Sequence, residues 1–504
     1  MHNCIILCQQ QRRTATMADE KAEKRRILAA RYKNKLDLLT PEEASRIHEA
    51  SLYILEHTGV LMPHPRAREL EAKGARVDRN SGLVRFPPDL VEKALREAPQ
   101  SFTLCARDPG QDLPLNGEYG YLTLDGSGLQ VIDLFTGRAR KSTRKDLAEA
   151  TLVADYMEQI AFLWPVISAQ DCPSGIQPLY ELATQLVYSS KHVQAMTAVN
   201  GDTARGSVEI AALVAGGRRR LKERPIISNF QCSISPLAYD GAGLEAALVF
   251  AEAGIPVGFL TMQIGCSTAP ATLAGNLAQG NAEILAGITF LQSIYPGAPT
   301  FYGSCATVME LKSGGVACGG PEDFFLQAAS AQMARYYRLP SNIGTFATGA
   351  KTAGWHAGVE NAASGAASIF AGADMMCGAG LLNGARIFSF EQLLMDCEIF
   401  EILRLTAAGM EINDDTLALE TIDRVGPANH FMTEEHTIAH LREIWQPNVI
   451  DRTPYEKWAA SGRKDELQTA REKAVRILEN HRPEPLPDGV AEEMEVFIRS
   501  FKQK

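Results

Sequence analysis

The stretch Gly344-Thr-Phe-Ala-Thr-Gly-Ala-Lys-Thr-Ala-Gly-Trp-His-Ala-Gly-Val-Glu360 decides the reading of the fold. A short apolar segment, residues 341–346, runs into small and hydroxylated residues and meets Trp355, His356 and Glu360 where an alanine-rich helix begins. Strand, loop and helix in that order carry polar groups to the carboxyl end of a parallel sheet, where α/β proteins keep their chemistry. The same unit recurs on both sides. Candidate strands at 161–167, 193–198, 225–233, 256–263, 300–305, 341–346 and 374–377 alternate with helical stretches at 178–189, 204–215, 241–253, 272–293, 321–337 and 355–371. Repetition at a spacing of roughly 30–40 residues favours a parallel sheet, and one more strand closes it into a (β/α)8 barrel of the TIM type. The eighth strand is either 384–388 or part of 121–131, and an open doubly wound sheet is the alternative fold.

Outside this period the pattern changes. Thr40-Pro41-Glu42-Glu43 supplies a cap, a proline at the first helical position and a glutamate at the third, and Gly59 stops the helix they start. Two short strands around Arg79-Asn80-Ser81-Gly82 and a helix at 88–98 complete a small α+β module that covers one end of the barrel. Residues 102–134 alternate apolar positions with glycine-rich turns and read as short antiparallel strands. At the other end of the chain, 388–408 is a long helix and 433–500 a charged helical tail, broken by Pro447, Pro454 and the prolines at 483, 485 and 487. Such a tail wraps the barrel or joins subunits. The expected division is an N-terminal extension at 1–35, disordered or helical, an α+β module at 36–142, the barrel at 143–425 and the helical tail at 426–504. Within the extension, 1–16 reads as disordered with Met17 the more natural beginning, and 18–38 as charged and helix-prone.

Composition narrows the partners. The 504 residues are 45% hydrophobic and 22% charged, enough to bury a large core. A formal net charge of −10 leaves no excess of Lys or Arg to neutralise phosphates, so nucleic acid is not an expected partner. No run approaches the ~20 apolar residues of a membrane span. Ten cysteines are scattered with no Cys-x-x-Cys pair and no secretory leader, the pattern of a reduced, cytoplasmic chain. Gly378-Ala-Gly380-Leu-Leu-Asn-Gly384 has one residue too many before its last glycine to be a dinucleotide fingerprint, and no phosphate-binding loop ends in Gly-Lys-Ser/Thr. His436 and His440 stand four apart on a helix without a third ligand nearby in sequence, so they read as a solvated face and no metal is expected.

Barrel enzymes place their chemistry where strands end. There the sequence puts Asn229, Gln231 and Ser233, then Gln263 and Cys266, then Tyr302, Ser304, Cys305 and Glu310, then Thr348, Lys351, Trp355, His356 and Glu360, and finally Asn383. Amides and hydroxyls orient a polar ligand, while Tyr302, Phe346 and Trp355 can face a cation through their ring quadrupoles, each worth ~0.5–2 kcal/mol. Such a mouth suits a small quaternary or tertiary amine. The candidate substrate-binding residues are therefore Tyr302, Phe346, Lys351, Trp355, Asn229 and Gln263. His356, at a helix start where the dipole disfavours a protonated ring, and Glu360, one turn on and placed to orient it, form the candidate catalytic pair.

Several segments carry a likeness to a known family: Ile54-Leu-Glu-His-Thr-Gly-Val60, Gly74-Ala-Arg-Val77 with Val84-Arg-Phe-Pro-Pro88, and Ala98-Pro-Gln-Ser-Phe102 with Ala106-Arg-Asp108. Tyr302-Gly-Ser304, Gly320-Pro-Glu322, Phe390-Glu-Gln-Leu393 and Tyr455-Glu-Lys-Trp458 continue it collinearly to the end. In these the chain resembles the trimethylamine methyltransferase superfamily, in particular its members without pyrrolysine. The resemblance implies a (β/α)8 barrel that takes a methyl group from an amine and hands it to the cob(I)alamin of a separate corrinoid protein, with no tightly bound cofactor of its own. In the founding branch a pyrrolysine activates a tertiary amine; here the equivalent region, near 344–351, holds only standard residues. That departure points to a quaternary amine such as glycine betaine, proline betaine or carnitine, whose nitrogen already carries the leaving-group charge.

The step this implies is an in-line displacement that releases a neutral tertiary amine, to which the protein contributes orientation and a pocket shielded from water. Trp355, Tyr302 and Phe346 would hold the ammonium, Lys351 or the amides of Asn229 and Gln263 a carboxylate, and His356 and Glu360 would shape the mouth. A corrinoid protein is the expected partner, and the long tail favours a homo-oligomer. Two other readings stay open: a lyase or aldolase forming a Schiff base at Lys351, and a non-catalytic betaine-binding protein.

Overall fold

In the computed structural model, which describes residues 26–126 and 128–501, eight parallel strands close into a barrel. They are β1 (Tyr119–Thr123), β2 (Ile160–Leu163), β3 (His192–Gln194), β4 (Ile227–Cys232), β5 (Val257–Thr261), β6 (Thr300–Ser304), β7 (Ser341–Gly344) and β8 (Met375–Cys377). Each pairs with the next, and Met375 and Met376 of β8 pair with Tyr121 and Leu122 of β1 to complete the ring. Strands buried on both faces need no polar alternation, which is why β2, β5 and β8 read as nearly continuous apolar runs. After them come α1 (Arg144–Tyr156), α2 (Gln177–Tyr188), α3 (Gly201–Ala215), α4 (Gly241–Glu252), α5 (Leu273–Ile294), α6 (Pro321–Tyr336), α7 (Trp355–Phe370) and α8 (Phe390–Ala408). Closure excludes the open doubly wound sheet.

The eighth strand is the first in the chain. It lies at Tyr119–Thr123, so the barrel begins ahead of the boundary expected at 143, inside the segment assigned to the cover module. Residues 384–388 do not enter the barrel: Leu381–Leu382 and Ile387–Phe388 form a hairpin that joins Gln130–Ile132 and Ala139–Lys141 in a separate four-stranded sheet. The first strand was hard to see because Gly120 interrupts it and the nearest upstream strands, Phe102–Leu104 and Leu113–Leu115, are antiparallel.

Of the expected N-terminal extension, residues 1–25 lie outside the described residues. From Arg26 the chain is extended rather than helical, and Ala30–Arg31 pairs antiparallel with Gly120 and Tyr119. The helix Pro41–Tyr53 starts as its sequence implies: Thr40 Oγ1 accepts the Glu43 amide at 3.2 Å and the Glu43 carboxylate accepts the Thr40 amide at 2.8 Å. Such a cap is worth about 1 kcal/mol.

Helix α5 explains how the outer layer is built. The helices Pro41–Tyr53 and Pro88–Glu97 pack on its outer side while β5 and β6 pack on its inner side. Residues 276–293 are consequently buried without interruption, the polar Asn281 and Glu283 included. The tail wraps the barrel in the same way, with Glu466–Asn480 on α8 and α1 and Val490–Ser500 on α2 and α3. No described helix is long and apolar enough to cross a membrane.

Candidate functional site

Alternation along a strand sends each residue either into the barrel or out to the helix layer. In β4, Ser228 faces inward, its Oγ 2.7 Å from His192 Nε2, and Cys232 follows on the same face. Asn229 and Gln231 therefore point outward. Asn229 Nδ2 donates to the Ala195 carbonyl at 2.7 Å, its Oδ1 accepts from Gln231 Nε2 at 2.7 Å, and the Gln231 amide lies against Gly243 of α4. In β6, the Tyr302 hydroxyl donates to Asn281 Oδ1 of α5 at 3.0 Å, which leaves Cys305, beyond the strand end, on the inner side against Gly344. Gln263 donates to the Asn276 carbonyl at 3.2 Å and packs on Gly280 of α5. Phe346 is fully buried with its ring against Gly365 of α7.

These positions correct the expected substrate cage. Tyr302, Phe346, Asn229 and Gln263 fill the layer between strands and helices, while Trp355 is 82% exposed on the outer surface. There it borders a groove of about 810 Å³ with Val359, Met395, Ile399, Tyr455 and Trp458. The rings of Tyr302, Phe346 and Trp355 do not come together around one point.

The strand ends instead enclose a cavity of about 500 Å³, lined among others by Asp125, Met262, Cys305, Asp323, Lys351 and Arg386. Asp125 follows β1 and accepts its neighbour Gly126's amide at 2.8 Å; burial pushes its carboxyl up to about 6. Asp323 sits in the first turn of α6 and accepts the Gly319 amide at 3.0 Å. Burial pushes Asp323 up to about 7, and the charges of Glu360 and Glu322 add to the effect. Burial acts on two thiols beside the cavity in the same way, raising Cys232 and Cys318 to about 12 each. Cys377 is raised well above the ordinary thiol value by its contact with Cys305 and by burial.

Carboxylates behind the cavity hold its loops. Glu360 accepts the Thr348 hydroxyl and the Gly349 amide, the latter at 2.9 Å, and its other oxygen is 2.8 Å from His356 Nε2. His356 and Glu360 are thus brought together, but as a brace: the imidazole is mostly exposed, and the Glu360 carboxyl presses on Gly319, where a Cβ would fall 2.3 Å from Glu360 Cδ. Lys351 lines the cavity, exposed, with its ammonium donating to the Gly349 carbonyl. Glu283 of α5 pins the loop after β4 to the end of β5 by accepting the Ser235 and Thr261 hydroxyls, each at 2.7 Å, and the Leu237 amide at 2.9 Å. Asp396 of α8 does the same after β8, accepting the Gly380 amide at 2.8 Å and the amides of Asn361 and Gln392, each at 2.7 Å. Gly378 opens that loop at φ +129°, where a Cβ would meet the Thr345 carbonyl at 2.6 Å, so the glycine run serves close packing between the ends of β7 and β8.

Sequence reasoning missed Asp125, Asp323, Met262, Cys318 and Arg386. For Asp125 the signal was present: Leu124-Asp125-Gly126 follows an apolar strand, and placing β1 would have put it at the mouth. Asp323 lay beside Gly320-Pro-Glu322, already singled out, but nothing in the sequence turns its side chain toward the cavity.

A family model described as trimethylamine methyltransferase (MTTB) matches residues 8–504. Trimethylamine methyltransferase MttB of Desulfitobacterium hafniense (strain DSM 10664 / DCB-2) is 36% identical over 465 residues, 92% of this chain and 93% of that protein. Glycine betaine methyltransferase of Desulfitobacterium hafniense (strain Y51) is 33% identical over 471 residues, 92% of this chain and 97% of that protein. The solved Methanosarcina barkeri monomethylamine methyltransferase is 11% identical, with a TM-score of 0.49, over 87% of this chain and 92% of its own. With its closed barrel and a match along nearly its whole length, the chain belongs to the trimethylamine methyltransferase family.

Proposed function

We propose that this chain moves a methyl group from a small zwitterionic quaternary amine, of the glycine betaine type, to a corrinoid carried by a separate protein. Family membership supports the reaction class. The observation that carries the substrate class is the division of charge around the cavity, with the carboxylates Asp125 and Asp323 enclosed and the cations Lys351 and Arg386 exposed. An enclosed carboxylate raised to about 6 or 7 lacks a counter-charge. A quaternary ammonium supplies one that no proton loss can remove. Arg386, with a planar fork, and Lys351 would then receive the carboxylate at the other end of the ligand.

The donor set fits an acceptor that arrives on its own protein. No histidine lines the cavity among the described residues, so no imidazole is offered there to a corrinoid metal, and the exposed Met262, Val316, Lys351 and Arg386 mark its opening to solvent. When docked, the corrinoid would supply the nucleophile that takes the methyl group. The chain's own residues hold the donor in line and keep water away, which is where an enzyme with no proton to move gains rate. Cys232, Cys318 and Cys377 remain thiols at neutral pH; a thiolate in their place would compete for the methyl group. His356 and Glu360 act by bracing the loop after β7. The Schiff-base alternative needs a desolvated lysine, whereas Lys351 is exposed.

The test follows methylcobalamin formation by absorbance from reduced cobalamin with glycine betaine, proline betaine, carnitine and trimethylamine in parallel. Turnover is expected with one of the zwitterions and not with trimethylamine. Turnover with trimethylamine alone overturns the substrate class, and silence with every amine, in a buffer that supports a related methyltransferase, overturns the reaction.

A further inference from the structure

Residues 409–448 form a helical segment with almost no core of its own: only Thr421 and Val425 are buried. Met410, Ile412, Leu419, Met432 and Ile438 are all exposed. Chain of this kind, too short to bury its apolar residues, is commonly held by a cross-link or a metal. Its polar side chains converge at one place.

His440 Nε2 stands 3.4 Å from Asp415 Oδ2, and His436 Nε2 is 2.9 Å from the Asp415 backbone carbonyl. The two imidazole rings, four residues apart on the helix Glu435–His440, have centroids 4.3 Å apart. One donor atom from each of Asp415, His436 and His440 lies within 4.8 Å of the other two. The other nitrogen of His440, Nδ1, is 2.6 Å from Glu443 Oε1, which fixes the ring with Nε2 toward Asp415. The third ligand that the sequence did not show is thus provided by a turn some twenty residues upstream, at Asp414–Leu417.

We propose that Asp415, His436 and His440 bind a zinc ion that ties the turn Asp414–Leu417 to the helix Glu435–His440. Two imidazoles and a carboxylate suit zinc better than magnesium or calcium, which take oxygen ligands. Histidines at i and i+4 on one helix face are a recurrent chelating pair. Tetrahedral bonds of about 2.0–2.2 Å set ligand atoms roughly 3.3 Å apart. The Asp415–His440 pair already has that spacing, and His436 completes the set by rotating off the Asp415 carbonyl. Glu443 is the outer carboxylate that commonly orients a ligating histidine. A water takes the fourth position.

The test uses the full-length chain without a histidine tag, stripped with a chelator and titrated calorimetrically with zinc chloride. Cobalt(II) replaces zinc in parallel, for its visible spectrum. One zinc per chain and a tetrahedral cobalt spectrum are expected. His436→Ala with His440→Ala should weaken zinc binding at least 100-fold, and Asp415→Asn and Glu443→Gln each about tenfold or more. Circular dichroism checks that each variant is folded; Asp415→Asn alters a single exposed side chain and keeps the comparison available should the double variant unfold. Zinc binding at full strength in the folded variants, or none by the unaltered chain at micromolar zinc, overturns the site.

Discussion

Asp125 and Asp323 carry the proposed recognition, and their raised pKa values make it testable by pH. At pH 8 both are ionised and a quaternary ammonium meets two negative charges; as pH falls through about 7 and then about 6, protons compete with the ligand. The KM for the betaine should therefore rise as pH drops from 8 to 5, and Asp323→Asn should remove the upper inflection. Asp125→Asn should raise KM about tenfold or more at pH 8, since a charged contact is worth about 1.5–3 kcal/mol. Trp355→Ala, by contrast, should leave KM for the amine within about twofold with free cobalamin as acceptor, because the ring lies outside the cavity. Residue types at strand ends were readable in the sequence. Their direction was not: shifting the assumed inner face by one residue exchanges Tyr302 for Cys305's side of the strand, and period two gives no warning when both faces are apolar.

The loops after β7 and β8 depend on elements behind them. Gly319 has φ +84° and no room for a Cβ against Glu360, so Gly319→Ala should cost about 1–3 kcal/mol and lower kcat through loss of the brace, read by thermal melting and turnover. Asp396, enclosed under the glycine run, is pushed up to about 7 by burial. A carboxyl raised in the folded state contributes stability that is complete below about pH 4 and is lost as pH rises toward 7, because the unfolded chain ionises first. Asp396→Asn should remove that slope. Relative to the parent, its unfolding free energy from urea titration should be more favourable at pH 8 than at pH 5, by an amount on the order of a few kcal/mol. Local signals announced such elements well: Thr143 caps α1 as Thr40 caps its own helix, each with an acidic residue three positions on. β1 was legible only as one of two candidates, 121–131 against 384–388, since Gly120 weakens its pattern and its partners are about 40 and 255 residues away along the chain.

At the scale of the whole molecule, the tail belongs to the barrel. Ala470, Ala474, Ile477, Met494 and Ile498 are buried against α1, α2, α3 and α8. Truncation after Gly462 should accordingly expose that surface and lower the melting temperature by several degrees, with a tendency to aggregate on heating. The repeating strand–helix period by itself determined a parallel α/β sheet, because each unit must bury an apolar strand and one helix face with a right-handed crossover, while the pairing of β8 with β1 decided for the closed barrel over an open sheet. The period also determined which loops reach the mouth. Only the tertiary structure decided which side chains enter it. Asp125 and Asp323, nearly two hundred residues apart, line one cavity, Glu360 closes on Gly319 from another unit, and Asp415 finds His440, through ring closure and packing that local pattern does not encode.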